Sequence, residues 1–287
     1  MTVRLGAFEL RKSGVTRFDF RDIYHQAIET SWSRFFLALF TIDIAVNVLF
    51  ALLYLLRPGA IQNARPGSFP DAFFFSLETL ATVGYGEMAP VSLYGHIVSP
   101  AEIMVGLTFT AIMTGLIFVR FSKPRAKIVY AEKVVVAKHN GKPHLMVRIG
   151  NARIGLLTDA RARLGALLLE KTSEGEIFRR VHDLKLVRSR IPVFALTWTL
   201  LHPIDEESPL FGYDAKRLEE GDVRLFLTIE ARDDALAASV FDMKGYAAAD
   251  FAFGHRYAEC VSIDEERRTV ADLSRISLLE PDHHARA

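Results

Sequence analysis

A membrane-embedded helical unit followed by an all-β sandwich is the fold class that this 287-residue chain predicts, and three observations predict it. Two long apolar runs, residues 35–56 and 97–121, each suffice to cross a hydrocarbon core of about 30 Å. Between them, a short aromatic-rich stretch over 70–81 opens with a helix-start pattern. From residue 126 to 280 the texture changes to short strands separated by turn residues, as in an immunoglobulin-like sandwich. The charges follow the same division. Residues 35–125 carry five basic and five acidic side chains, against 24 and 25 in residues 126–287. No stretch is basic enough to suggest nucleic acid as a partner. A single cysteine, Cys260, excludes an intrachain disulfide framework and fits a reducing compartment.

Residues 1–34 form the N-terminal segment. No ordered element is expected over 1–17, and no cleaved signal peptide, because Met1 to Arg4 leads into no apolar core. From Phe18 to Trp32, the apolar residues Phe20, Ile23, Tyr24, Ala27, Ile28 and Trp32 recur at helical spacing. Arg21, Asp22, His25, Gln26 and Glu29 take the other face. The pattern fits a helix lying along a membrane surface, with Trp32 and Arg34 at the interface. An ordinary helix on a soluble core shows the same periodicity; the position directly before a span favours the surface. Within 35–56 the one charge is Asp43. It is expected to face protein, near Asn47 or a hydroxyl of the second span, and both a structural and a functional role stay open.

Arg57 to Phe69 repeats Arg-Pro-Gly and reads as a turn-rich outer connection. Ser68, Pro70 and Asp71 then start the short helix, in which Phe73, Phe74 and Phe75 are expected to be buried. Its negative dipole end points at the next five residues, Thr82, Val83, Gly84, Tyr85 and Gly86. Four copies of such a loop can replace the water around K⁺ with rings of backbone carbonyl oxygens. Those carbonyls share one axis only if some residues take angles that L-residues resist, a task for Gly84 and Gly86. Thr82 can add its hydroxyl at the inner end, and Tyr85 can brace the loop from outside. Glu78, one turn earlier, is placed to accept N–H groups behind the ion path. The bland alternative is a Gly-rich turn between two helices; five matching residues after a short helix and between two spans weigh against it.

Near the outer end of the second span, Pro100 and Glu102 are expected to tilt its entry or to pack against the short helix. Gly106, Thr110, Thr114 and Phe118 lie four apart. That stripe fits a water-filled cavity closing to an apolar constriction, or a plain helix–helix contact; the loop favours the cavity. Arg120, Lys123, Arg125 and Lys127 follow. Basic residues flank the inner ends of both spans, so both termini are expected in the cytoplasm. The cluster reads equally as a helix anchor or as a site for lipid phosphate.

In the soluble half, the runs 133–138 and 145–149 flank Asn140-Gly141, a hairpin signal. Further strands are expected over 160–170, 176–190, 193–200 and 223–230. There is no repeat and no metal-spaced Cys/His set. His182, Asp183 and His202 lack a Ser or Cys nucleophile motif nearby, so catalysis is not expected. The tail 281–287 reads as disordered.

Taken together, these residues resemble the prokaryotic inward-rectifier potassium channels (KirBac type). The resemblance covers Asp22 to His25 with Ser31-Trp32, Ala72 to Gly86, Arg120 to Lys127, His182 to Arg188, Trp198, and His202 to Leu210. It implies a homotetrameric K⁺ channel of a bacterial inner membrane, with a cytoplasmic sandwich that extends the conduction path and no organic cofactor. Thr82, Val83, Gly84 and Tyr85 would hold the ions. Phe118 would form the helix-bundle gate, and Thr110, with Thr114, would line the cavity where strong rectifiers trap Mg²⁺ and polyamines; Ba²⁺ is a further expected blocker. Lys123, Arg125 and Lys127 would meet phosphoinositide or another anionic lipid. There are departures. Glu87-Met88 follows the loop where the eukaryotic branch carries a basic partner for the residue at Glu78, Asp43 and Pro100 are unusual, and Phe241 to Phe253 diverges ahead of Gly254. Two other readings remain: a two-span K⁺ channel gated by a small cytoplasmic ligand, and a membrane-anchored binding module.

Overall fold

The structure, a computed structural model, describes residues 2–5, 8–11, 23–124, 126–171 and 173–282. It divides into two compact units, residues 18–123 and residues 1–17 with 124–287.

The first unit is helical. Helix α1 (Ile23–Glu29) is short. Of the expected surface helix over 18–32, residues 18–22 lie outside the described residues, and Ser31, with ψ 151°, interrupts the helix before Trp32. Trp32 and Arg34 instead open α2 (Trp32–Leu55), three residues ahead of the expected start. The outer connection holds a two-stranded ladder. Strand Ile61–Gln62 pairs with Ala89–Pro90, and the short helix α3 (Phe69–Leu80) lies between them in sequence. Ser68 caps α3 by accepting a hydrogen bond from the Asp71 amide at 3.4 Å. Of its three consecutive phenylalanines only Phe75 is buried, while Phe74 is 56% exposed. Three successive residues sweep most of a helix circumference, so one face of a single chain cannot hold them all. Helix α4 (Leu93–Ser122) begins four residues before the expected 97, because Ser92 accepts from the Gly95 amide at 3.0 Å and caps it. Pro100 sits inside this helix without ending it. Both α2 and α4 are long and apolar enough to cross a membrane.

Among the described residues the second unit is mostly β, with one short α-helix, Ala215–Glu220, and two single 3-10 turns, Ala248–Asp250 and Leu273–Arg275. Its N-terminal part is a hairpin, Thr2–Leu5 with Phe8–Arg11, where no element was expected. In chain order the main strands are Ile128–Tyr130, Val134–His139, Lys142–Asn151, Leu157–Lys171, Ile177–Leu184, Arg190–Phe194, Thr197–Pro203, Arg224–Asp233, Ala238–Ala247 and Phe251–Phe253. One five-stranded sheet is centred on Leu157–Lys171 and Arg224–Asp233, the other on Lys142–Asn151. The Asn140-Gly141 turn, with φ 52° and 78°, joins Val134–His139 to Lys142–Asn151 as a hairpin. Leu145, Val147, Ile149 and Leu200 from one sheet meet Leu157, Leu164, Leu225, Leu227 and Ile229 from the other. Alternation along Arg224–Asp233, whose buried residues are every second one, is what lets one sheet face bury this core.

Two strand expectations are corrected. The run 176–190 is not one strand: it stops at Leu184 and resumes at Arg190. The run 193–200 contains a break at Ala195-Leu196, where the chain passes from one sheet to the other. The run does not reveal such a switch, because Phe194 before it and Trp198 after it both enter the same core.

Candidate functional site

Helix α3 ends at Ala81, and the next two amides fold back onto its last turn. Thr82 N–H donates to Thr79 O at 3.1 Å, and Val83 N–H donates to Glu78 O at 2.8 Å. The loop therefore starts from a fixed point. Along it φ is positive at Thr82 (57°), Gly84 (56°) and Gly86 (85°), and not at Val83 or Tyr85. Alternating hand turns successive peptide planes over, a geometry compatible with carbonyls on one side of the loop. Gly84 and Gly86 fill the role read from the sequence. Thr82 was not expected in the left-handed region, where it costs roughly 1–2 kcal/mol. Its hydroxyl has no hydrogen-bond partner among the described residues. Tyr85 is 77% exposed and meets no ring among the described residues.

Glu78 needs a correction. Its carboxylate takes no N–H of the loop among the described residues; the part that reaches the loop is its backbone carbonyl. The outer mouth is held by other groups. Arg65 clamps Asp71 through Nε and Nη2, at 2.9 and 2.7 Å, and the guanidinium holds the Asp71 carboxyl well below the usual range. Asn63 donates to Glu87 O at 2.6 Å, just past the loop.

Below α3 lies a cavity of about 270 Å³, lined by Leu80 and Ala81, by Thr110, Thr114 and Met113, and by Asp43 among others. The carbonyl end of α3 faces this space, where the helix dipole favours a cation. Thr114 donates its hydroxyl to Thr110 O at 2.8 Å. Asp43 finds the nearer of its two expected partners: the Asn47 amide donates to its backbone O at 2.9 Å and lies 3.4 Å from Oδ2. Phe118, one turn beyond Thr114, is 70% exposed within its own chain. Gly106 has a second duty besides the cavity. A Cβ there would sit 2.1 Å from the Leu80 carbonyl oxygen, so its smallness lets α4 touch the last turn of α3.

Glu102 packs against the short helix, one of its two expected placements; two features still escaped sequence reasoning, the first being its hydrogen-bond partners. Glu102 is wholly buried, bonded to Tyr54 of α2 and Ser76 of α3. A carboxyl in an apolar span was the visible signal; its partners, 48 and 26 residues away, follow no local spacing. The other is Arg120. Its guanidinium stacks 4.4 Å from the ring centroids of both Trp32 and Phe35, and it donates to the carbonyls of Ala27 and Thr30. Arg120 thus caps the end of α1 and is committed to protein. Lys123 makes only a loose 3.9 Å pair with Glu29. Lys127 is exposed, and Arg125 lies outside the described residues.

In the β unit, His202 is a structural residue: Nδ1 contacts Lys185 O and Nε2 contacts Ser208 Oγ, both at 2.8 Å. A cavity of about 500 Å³ opens beside Lys142, Asp205, Glu206, Glu207 and Phe211. The strand pattern had shown no such hollow.

Two apolar spans bracketing a short helix and a carbonyl loop, ahead of a β-sandwich, define a two-span potassium channel. The family model described as the inward rectifier potassium channel C-terminal domain matches residues 128–282, and one described as ion channel matches 29–123. The chain is 35% identical over 254 residues to the inward rectifier potassium channel Kirbac3.1 of Paramagnetospirillum magnetotacticum, covering 88% of this chain and 86% of that one. It is 28% identical over 280 residues to the ATP-sensitive inward rectifier potassium channel 12 of Gallus gallus, and 27% over 279 to that of Homo sapiens. Of those two animal channels it spans 64% and 63% of the length. The chain belongs to the inward-rectifier potassium channel family. It is a homotetrameric ion channel and not an enzyme.

Proposed function

We propose that four copies of Thr82 to Gly86 surround one axis and conduct K⁺ passively through rings of their carbonyl oxygens. The observation that carries this reading is the alternating hand of φ at Thr82, Gly84 and Gly86, which suits a row of carbonyls facing one way. Thr110 and Thr114 line the cavity below, and Phe118 closes it as an apolar ring that water leaves by dewetting. With Thr110 neutral, block by internal Mg²⁺ or polyamines is weak. The spans lie in a bacterial inner membrane with both termini in the cytoplasm, as the basic flanks require.

Anionic lipid acts at Lys123, Arg125 and Lys127, where each basic group near a charged surface contributes about 1 kcal/mol. Arg120 is left out of this set because its guanidinium is already engaged. Potassium-dependent rubidium flux in liposomes, with and without phosphoinositide, tests the whole reading. Neutralising the three residues together should weaken the lipid response. An unaltered dose-response would reduce them to helix anchors. Phe118→Ala should raise resting flux; equal open probability in parent and variant would move the gate elsewhere.

A further inference from the structure

Glu102 is an ionisable group with no exposure at all in the outer third of an apolar helix, and conduction as described leaves it unused. In a hydrocarbon setting such a group is costly unless protein satisfies it. Its partners come from both neighbouring helices. The Tyr54 hydroxyl of α2 donates to Oε2 at 2.7 Å, and Ser76 of α3 bonds to Oε1. Ser76 also lies 3.2 Å from the backbone and side-chain oxygens of Asn47, a residue as buried as itself. Tyr54 is fixed in turn by an edge-on contact with Phe75, 5.0 Å between centroids. No cation pairs with Glu102 among the described residues.

The register of these contacts matters. Glu102 meets Ser76; four residues on, Gly106 meets Leu80. Helix α4 therefore grips α3 twice, one turn apart, first by a hydrogen bond and then by backbone contact. The gripped turn is the one from which Thr82 and Val83 hang. A close-packed helix pair can still slide or rotate slightly; a hydrogen bond to a defined oxygen cannot be kept through such a movement.

We propose that Glu102 is a positioning residue for the filter: by holding Ser76 and Tyr54 together it sets the depth and rotation of α3, and with them the selection of K⁺ over Na⁺. The proposal rests on the filter reading given above. It requires two complementary polar positions at residue 102 and does not require a charge. Glutamine supplies them, with a carbonyl oxygen for Tyr54 and an N–H for Ser76, whose single proton is then free for Asn47. Leucine is of similar bulk and supplies neither. Leucine leaves the buried Tyr54 hydroxyl without its acceptor, at a cost in stability, so a purely structural role predicts a Glu102→Leu tetramer that melts lower yet keeps the parent's permeability ratio.

The test is the K⁺/Na⁺ permeability ratio of parent, Glu102→Gln and Glu102→Leu channels in liposomes of one composition, normalised to tetramer content. The parent ratio tests the filter reading by itself. Given a selective parent, Glu102→Gln should stay within about twofold of it and Glu102→Leu should lose about tenfold or more, in line with the cost of ~1 Å misplacements. A conducting Glu102→Leu tetramer with the parent ratio overturns the proposal, and so does a Gln variant as unselective as Leu. Where Glu102→Leu yields no tetramer, Tyr54→Phe and Ser76→Ala each remove one partner. Reduced selectivity in both supports positioning, and parent selectivity in both overturns it.

Discussion

Replacing Gly106 by Ala puts one methyl group between two helix backbones. The added Cβ falls 2.1 Å from the Leu80 carbonyl oxygen, 3.0 Å from its carbon and 3.2 Å from its Cα. These are backbone atoms of the turn that carries the loop, so no flexible side chain can swing aside. Restoring an ordinary 3.4 Å contact requires α3 and α4 to separate locally by about 1.3 Å. Alanine favours the helix over glycine by about 1 kcal/mol, while overpacking costs about 1–3 kcal/mol, so the net stability loss is on the order of 1 kcal/mol. The functional effect is larger. A preorganised site tolerates about 0.5 Å, and Thr82 and Val83 are tied to the displaced turn. Gly106→Ala should therefore assemble, melt a few degrees lower and discriminate poorly between K⁺ and Na⁺. Tetramer melting in detergent and competitive rubidium flux measure the two effects. A Gly106→Ala channel with the parent's selectivity would refute the contact between Gly106 and the filter helix.

Gly84→Ala should abolish selective flux while the β unit stays folded; its Cβ meets nothing within 4 Å among the described residues, but φ 56° is strained for alanine. Thr110→Asp should turn weak spermine block into strong, steep, voltage-dependent block; equal block in current–voltage curves of both proteins would turn Thr110 away from the ion path. Arg120→Leu removes two stacked rings and the cap on α1, for a loss of about 2 kcal/mol or more in tetramer melting, and Arg120→Lys should recover only part of it. Burial lowers the His202 pKa from its ordinary 6.5, so the unfolded chain takes up this proton more readily than the folded one. The stability that His202 contributes is complete above pH 6.5 and declines as the pH falls below it. His202→Gln should flatten the thermal-stability profile between pH 7 and 5; a profile as steep as the parent's contradicts this.

The parts of the channel legible in the sequence are those governed by local pattern. Ser68 and Asp71 start α3, Asn140-Gly141 turns a hairpin, and Gly84 and Gly86 mark left-handed positions, each within a few residues of its effect. What stayed hidden depends on distant neighbours. Tyr54, Ser76 and Glu102 come from three helices, and nothing in their spacing pairs them. Glu78 looked like the loop's brace because it is near in sequence, yet its side chain contributes no bond there. Thr82 gave no sign of positive φ, since threonine seldom adopts it, and Arg120 read as one more basic residue although two aromatic rings hold it. The switch between sheets at Ala195-Leu196 was invisible for a different reason: the buried Phe194 before it and Trp198 after it carry the apolar texture straight through.

Selective permeation is the central claim, and purified protein in liposomes tests it without a mutant. The account predicts that the isolated tetramer passes rubidium and potassium, passes sodium far more slowly, and stops when barium is added. Equal potassium and sodium flux, or no flux in any lipid mixture from a well-folded tetramer, would contradict it.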